Sequence, residues 1–242
     1  LWHPIRLLGV YKEGFGVLQA ADAGEIVTEM MKNRMDPEIA ASPIEIRGFR
    51  VFSGLISREG QEEMVAVLRD VVAAAPLVQP VTPGGRQMSV RMTAAGRLGW
   101  VTDRRGYRYE PLHPSGVAWP AIPAPVMAVW RALAGVDRAP DCCLVNFYGA
   151  GARMGLHQDK DEGDFSYPVV SISLGDEALF RMGGVDRAEG TQSLWLRSGD
   201  VVVMGGAARL AWHGVDKVRH GSSTLLPQGG RINLTLRVVA GA

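Results

Sequence analysis

The chain has 242 residues, enough for one sizeable core, with 47% hydrophobic and 21% charged residues and a formal net charge of +1. That balance excludes wholesale disorder, and no apolar run approaches the roughly 18 residues needed to cross a bilayer. The opening Leu1-Trp2-His3-Pro4-Ile5-Arg6 lacks the layout of a signal peptide, so a cytoplasmic, non-membrane protein is expected, and 30 glycines with 14 prolines point to an all-β or α+β fold.

Residues 1–34 form an uncertain leader. Within it Asp22-Ala23-Gly24-Glu25 resembles a capping box before a short helix through Met31. Met35-Asp36-Pro37 is a candidate alternative translation start. Ile44 to Phe52 is a β-segment interrupted at Gly48, and after Ser57, an N-cap, the positions Met64, Leu68, Val71, Val72 and Ala75 keep helical spacing until Pro76. Turn residues fill 80–85, then Gln87 to Met92 alternates with Met88, Val90 and Met92 on one face. From Arg86 to Arg108 six arginines stand against one acid, Asp103, among Trp100, Tyr107 and Tyr109. Such a run is a solvated face or, since arginine pairs with phosphate while aromatics stack bases, a nucleic-acid contact.

A Pro-rich loop from Pro111 to Pro125 precedes a second helix, marked by Val126, Val129, Trp130 and Leu133 and closed by Gly135. From Pro140 the chain becomes short alternating strands: Cys142–Tyr148, Gly155–Asp159, Val169–Leu174, Ala178–Met182, Ser193–Arg197, Asp200–Met204, Leu210–His213 and Arg231–Val238. About eight strands in so short a stretch predict a double-sheet jelly roll. Cys142 and Cys143 are adjacent and point to opposite faces, which suits buried apolar residues rather than a disulfide or zinc site.

The chemistry gathers in the second half. In Leu156-His157-Gln158-Asp159 alternation puts His157 and Asp159 on one face, two of the three ligands of a 2-His-1-carboxylate triad with open positions on non-haem Fe(II). His213, expected at a strand end, supplies the third. On the last strand Arg231, Asn233, Thr235 and Arg237 share one face opposite Ile232, Leu234 and Leu236. That row is a solvent face or a site for a dicarboxylate, for which arginine offers bidentate bonds. Asn146 and Tyr148 share a face that completes such a pocket.

His157-Gln158-Asp159-Lys160-Asp161-Glu162, Asn146-Phe147-Tyr148-Gly149, Gly199-Asp200-Val201-Val202-Val203, His213-Gly214 and Arg231-Ile232-Asn233-Leu234-Thr235-Leu236-Arg237 closely resemble the AlkB family of Fe(II)/2-oxoglutarate-dependent DNA alkylation repair dioxygenases. The resemblance spans roughly residues 45 to 240. It implies an α+β fold: a double-stranded β-helix (jelly roll) core over 139–240, preceded by an extension over 35–138 that carries helices and a nucleotide-recognition lid near 80–110. It implies Fe(II), with 2-oxoglutarate and O2 as co-substrates, and His157, Asp159 and His213 as catalytic iron ligands. By the same resemblance Arg237 with Tyr148 would hold the distal carboxylate of 2-oxoglutarate, Arg231, Asn146 and Asn233 its other end, with Phe147 and Thr235 also in the cofactor site. Trp100 would stack on the damaged base, Asp161 would meet its exocyclic amine, and Tyr107, Arg108, Tyr109 and Arg187 would touch the nucleotide. Met204 and Ala150 depart from the family, which often has tryptophan and proline there.

The implied reaction is oxidative demethylation of 1-methyladenine and 3-methylcytosine in single- or double-stranded DNA, with RNA as a further partner, by a monomer that releases succinate, CO2 and formaldehyde. Two alternatives stand beside it. A protein or small-molecule hydroxylase would fail on methylated oligonucleotides, and a non-catalytic jelly-roll binding protein would form no succinate.

Overall fold

The computed structural model describes residues 34–239, together with Glu25, Thr28 and Lys32. The leader helix expected through Met31 otherwise lies outside the described residues. Asp36 caps the first short helix, α1 (Pro37–Ala41), by accepting from the Glu38 and Ile39 amides. Strands β1 (Ile44–Ile46) and β2 (Phe49–Phe52) form a hairpin whose turn residues Arg47 and Gly48 both have positive φ, 52° and 83°. That conformation matches the twist of the flanking strands and explains the interruption at Gly48. Ser57 caps α2 (Arg58–Ala74) at the expected position, and α3 (Ala124–Leu133) follows the Pro-rich loop.

Between the helices lie β3 (Arg91–Gly96) and the hairpin β4 (Gly99–Asp103) and β5 (Gly106–Glu110). Strand β3 starts later than alternation predicts. Gln87 instead meets Val81 through an isolated bridge, because 80–85 turns the chain back on itself, and a second bridge joins Val78 to Met92 within β3. A side chain at Gly99 would run into the Trp119 indole, so the hairpin can leave the body of the protein only through a glycine.

The remaining strands are β6 (Cys142–Tyr148), β7 (Met154–His157), β8 (Val169–Gly175), β9 (Glu177–Met182), β10 (Gln192–Leu196), β11 (Val201–Met204), β12 (His213–Arg219) and β13 (Arg231–Arg237). They form a jelly roll of two antiparallel sheets. The major sheet runs β1-β2-β11-β8-β13-β6-β3 and the minor sheet β10-β9-β12-β7. The extension therefore widens the major sheet at both edges. Both faces of that sheet are covered, which is why Val201–Met204 is buried at every position. Val201, Val203, Leu234 and Leu236 pack toward α2 and α3 with Trp130, whereas Val202, Met204 and Tyr148 meet Phe180, Met182 and Val215 of the minor sheet. Burying each such large side chain contributes about 1.5–3 kcal/mol.

Two strand boundaries correct the sequence expectation. Leu210–His213 is not a strand: a 3-10 turn at Gly206–Ala208 leads into Arg209, whose guanidinium bonds the Tyr167 and Asp159 carbonyls and holds the segment in a turn. His213 opens β12 rather than ending a strand. Similarly β7 stops at His157, and Asp159 lies just beyond it. Among the described residues no helix is long and apolar enough to cross a membrane.

Candidate active site

The cavity between the two sheets has a volume of about 320 Å³ and opens beside the β4–β5 hairpin, large enough for a small ligand. Its centre is built by strand pairing. His157 and His213 are direct cross-strand partners of β7 and β12, with ring centroids 4.5 Å apart. The chain beyond β7 brings Asp159 back toward them, so that its oxygens stand 3.6 Å from both His157 Nε2 and His213 Nε2. Each imidazole faces a backbone carbonyl through Nδ1, His157 that of Gly155 at 2.9 Å and His213 that of Ala211 at 3.0 Å. With Nδ1 donating, Nε2 is left as the free lone pair on both rings.

The electrostatics suit the same use. Loss of solvation and the neighbouring His213 push His157 below its ordinary value, favouring the neutral ring. Burial alone would raise Asp159, but Arg237 and His213 outweigh it and hold the carboxyl well below its usual range. Arg237 Nη2 is 2.9 Å from Asp159 Oδ2. The two ring nitrogens and one carboxylate lie within 4.8 Å of one another, the only such group of metal-binding residues among those described. Such a donor set suits a divalent metal with positions left open.

The floor is the polar face of β13. Asn233 and Thr235 line the cavity with Asn146, Tyr148 and Ser171. Asn233 Nδ2 donates to Ser171 Oγ at 2.8 Å and to the Ile172 carbonyl, and Thr235 Oγ1 donates to Asn233 Oδ1. The two arginines occupy opposite ends from those the resemblance implied. Tyr148 is the register partner of Arg231, not of Arg237, and six residues of strand separate the arginines by roughly 20 Å. Arg237 is the one at the histidines and Asp159. Arg231 is 1% exposed, donates to Ser173 Oγ at 2.8 Å, and has Nε and Nη1 without a partner. Burial lowers its pKa to about 10, so it stays charged at neutral pH, while burial pushes the Tyr148 phenol up to about 12 and keeps it a donor. A buried cation with unpaired N–H groups beside a protonated phenol suits a carboxylate. Asn146 Oδ1 is a further buried atom without a partner.

The outer wall comes from the hairpin. Trp100 and Tyr107 line the cavity and stack on each other, centroids 5.5 Å apart at 17°. Trp100 Nε1 donates to Asp161 Oδ2 at 2.8 Å, which places Asp161 at the same wall. Four other residues expected at the site sit elsewhere. Phe147 points to the opposite face of β6, where Arg91 covers its ring at 4.8 Å, since only alternate residues of a strand share a face. Arg108 faces away from Trp100 and pairs with Asp103 and Glu110 on its own hairpin. Tyr109 turns inward and donates to Glu162 Oε1, with Arg237 Nη1 donating to its oxygen at 3.2 Å. Arg187 reaches the site only through Trp212, lying 4.9 Å over an indole that lines the cavity.

Sequence reasoning missed Glu162, Arg209 and Trp212 as parts of this site. Glu162 is fully buried and accepts from Arg209, Arg237 and Tyr109. Its position inside the His157–Glu162 run was a signal, because a buried glutamate beside a loop ligand requires partners.

Residues 48–237 match the 2OG-Fe(II) oxygenase superfamily. The chain is 50% identical over 202 residues to the alpha-ketoglutarate-dependent dioxygenase AlkB homolog of Caulobacter vibrioides, covering 83% of this chain and 92% of that protein. To the alpha-ketoglutarate-dependent dioxygenase AlkB of Escherichia coli it is 44% identical over 181 residues, 73% of this chain and 83% of that one. The solved structure of OsALKBH1 superposes with a TM-score of 0.69 at 29% identity, covering 81% of this chain and 98% of that chain.

Proposed function

We propose that this chain, which belongs to the 2OG-Fe(II) oxygenase superfamily, removes methyl groups from the ring nitrogens of 1-methyladenine and 3-methylcytosine in DNA, and in RNA as a second substrate, acting as a cytoplasmic monomer. The observation that carries this reading is a single cavity holding both the His157–Asp159–His213 donor set and a wall of Trp100, Tyr107 and Asp161. Supporting it, the relatives in Caulobacter vibrioides and Escherichia coli carry the AlkB name, and a human relative is named nucleic acid dioxygenase ALKBH1.

The residues fit the cofactors that the family uses. His157, Asp159 and His213 would hold Fe(II), and the unpaired Arg231 with Tyr148 would take the distal carboxylate of 2-oxoglutarate over a floor of Asn146, Asn233 and Thr235. When bound, Fe(II) with 2-oxoglutarate and O2 supplies the oxidation that turns an N-methyl group into a hydroxymethyl group, lost as formaldehyde, while 2-oxoglutarate becomes succinate and CO2. The protein's part is to position and to exclude water. Trp100 presents a flat apolar face for stacking. Asp161 places a negative charge where a cationic methylated base would enter, a Coulombic preference over the neutral normal base. Apolar side chains including Met88, Met92 and Met154 close the sides and adapt to a planar ring. Lesions that block pairing leave the stack at least cost, which favours single strands.

The test is to mix the protein with Fe(II) and 2-oxoglutarate without oxygen, then admit oxygen with single-stranded DNA containing 1-methyladenine, and weigh the oligonucleotide. Loss of one methyl group per turnover, with stoichiometric succinate, is expected. An unchanged mass sinks the reading.

A further inference from the structure

Behind the donor set lies a buried cluster that shares Asp159 with it. Glu162 has a side-chain exposure of 0% and Asp159 of 5%, and between and around them stand Arg209 at 4% and Arg237 at 8%. Two positive and two negative groups balance. Arg237 bridges the carboxylates, with Nη2 at 2.9 Å from Asp159 Oδ2 and Nη1 at 3.0 Å from Glu162 Oε1. Arg209 ties the other side, donating to the Asp159 backbone carbonyl at 2.7 Å and to the Glu162 carboxylate at Oε2, 3.1 Å away.

A cluster serving only stability would be made by the body of the protein. This one takes its fifth member, Tyr109, from the lid hairpin β4–β5. Tyr109 is the register partner of Trp100, and Trp100 is bonded to Asp161, the residue before Glu162. Two cross-strand partners of the hairpin are thus tied to two consecutive acids that follow Asp159. Other hydrogen bonds tie the lid to the body among the described residues: Thr102 Oγ1 donates weakly to the Val81 carbonyl at 3.3 Å, and Trp119 Nε1 donates to the Glu110 carbonyl at 2.9 Å at the end of the hairpin.

We propose that Glu162 is a positioning residue that joins the lid to Asp159, through Tyr109 on one side and Arg237 on the other, so that loading metal at Asp159 stiffens the lid. The proposal rests on the reading of His157, Asp159 and His213 as metal ligands. Physically, Asp159 held in a donor set would fix Arg237, whose Nη1 donates to Glu162 Oε1 at 3.0 Å and more weakly to the Tyr109 oxygen at 3.2 Å, and Glu162 Oε1 holds the Tyr109 hydroxyl as its acceptor. Partners outside the ligand set orient the ligands and typically change metal affinity 10–100-fold when removed.

The experiment follows amide hydrogen exchange of residues 99–110 with and without Mn(II) and 2-oxoglutarate under nitrogen, alongside the Mn(II) dissociation constant. In the wild-type protein, loading is expected to slow exchange of the hairpin about tenfold, local opening being the quantity that exchange reports. Tyr109→Phe keeps the ring and the Arg237–Glu162 pair, so Mn(II) should bind within about twofold of wild type while the slowing disappears. Glu162→Gln leaves the arginine charges less balanced beside the metal, and should weaken Mn(II) about tenfold as well as abolish the slowing. A merely structural bond would change exchange equally in the loaded and unloaded states. Slowing of the same size in Tyr109→Phe overturns the proposal even if Glu162→Gln does not fold. Wild-type protein that binds no Mn(II) overturns the ligand reading and this inference with it, whereas binding without any lid response overturns the inference alone.

Discussion

On one face of β13, Ile232, Leu234 and Leu236 pack under the helices among apolar side chains. On the other, Asn233, Thr235 and Arg237 line the cavity between the sheets, and Arg231 shares their face at the far end of the strand, bonded to Ser173. The buried side-chain polar atoms left without a partner among the described residues belong to the second side: Asn146 Oδ1, Arg231 Nε and Nη1, and Arg237 Nε, while Asp159 Oδ2 has only its ion pair with Arg237 Nη2. Each such atom costs about 1–3 kcal/mol relative to a satisfied one. The same seven residues therefore contribute stability on one side and spend it on the other, where the unpaired groups await ligands.

Three substitutions break or sharpen that contrast. His213→Ala removes a metal donor from the cavity side, and turnover measured as formaldehyde release should fall more than about 100-fold, beyond the range for outer partners, with circular dichroism unchanged. Retained turnover would remove His213 from the donor set. Arg231→Met deletes the buried unpaired cation. The KM for 2-oxoglutarate should rise about 100-fold, as expected when two charge-assisted bonds are lost. The unloaded protein should at the same time gain about 1–3 kcal/mol in urea unfolding, since burying a charge is costly. A less stable variant would show that the two sides do not differ as described. Leu234→Ala, between them on the apolar face, should cost about 2–5 kcal/mol by cavity formation with kcat per folded molecule unchanged.

Much of this was legible in the sequence. Alternation alone separates the two faces of β13, and the run from His157 to Glu162 marks where the donors lie. The resemblance pairs Arg237 with Tyr148, and periodicity carries no sense of which end of a strand faces which neighbour and so offers no check; the register pairs Tyr148 with Arg231. Phe147 was an avoidable error: it lies between Asn146 and Tyr148, and the alternation that pairs those two excludes it. Tyr109 and Arg108 could not be oriented, because neighbours on an exposed hairpin are both polar and give no burial signal. The Glu162–Arg209 pair joins positions 47 residues apart, a contact that only tertiary folding creates.

The cross-strand match of His157 with His213 also bears on assembly. Strand β7 is a four-residue edge strand whose only partner among the described residues is β12, matched at His213–His157 and Val215–Met154 with an irregularity between them. A slip of one residue would turn a histidine to the outer face and dismantle the donor set. An ion held by both rings is consequently a rivet across the weakest seam of the minor sheet, and it can be driven home only when the seam is in register.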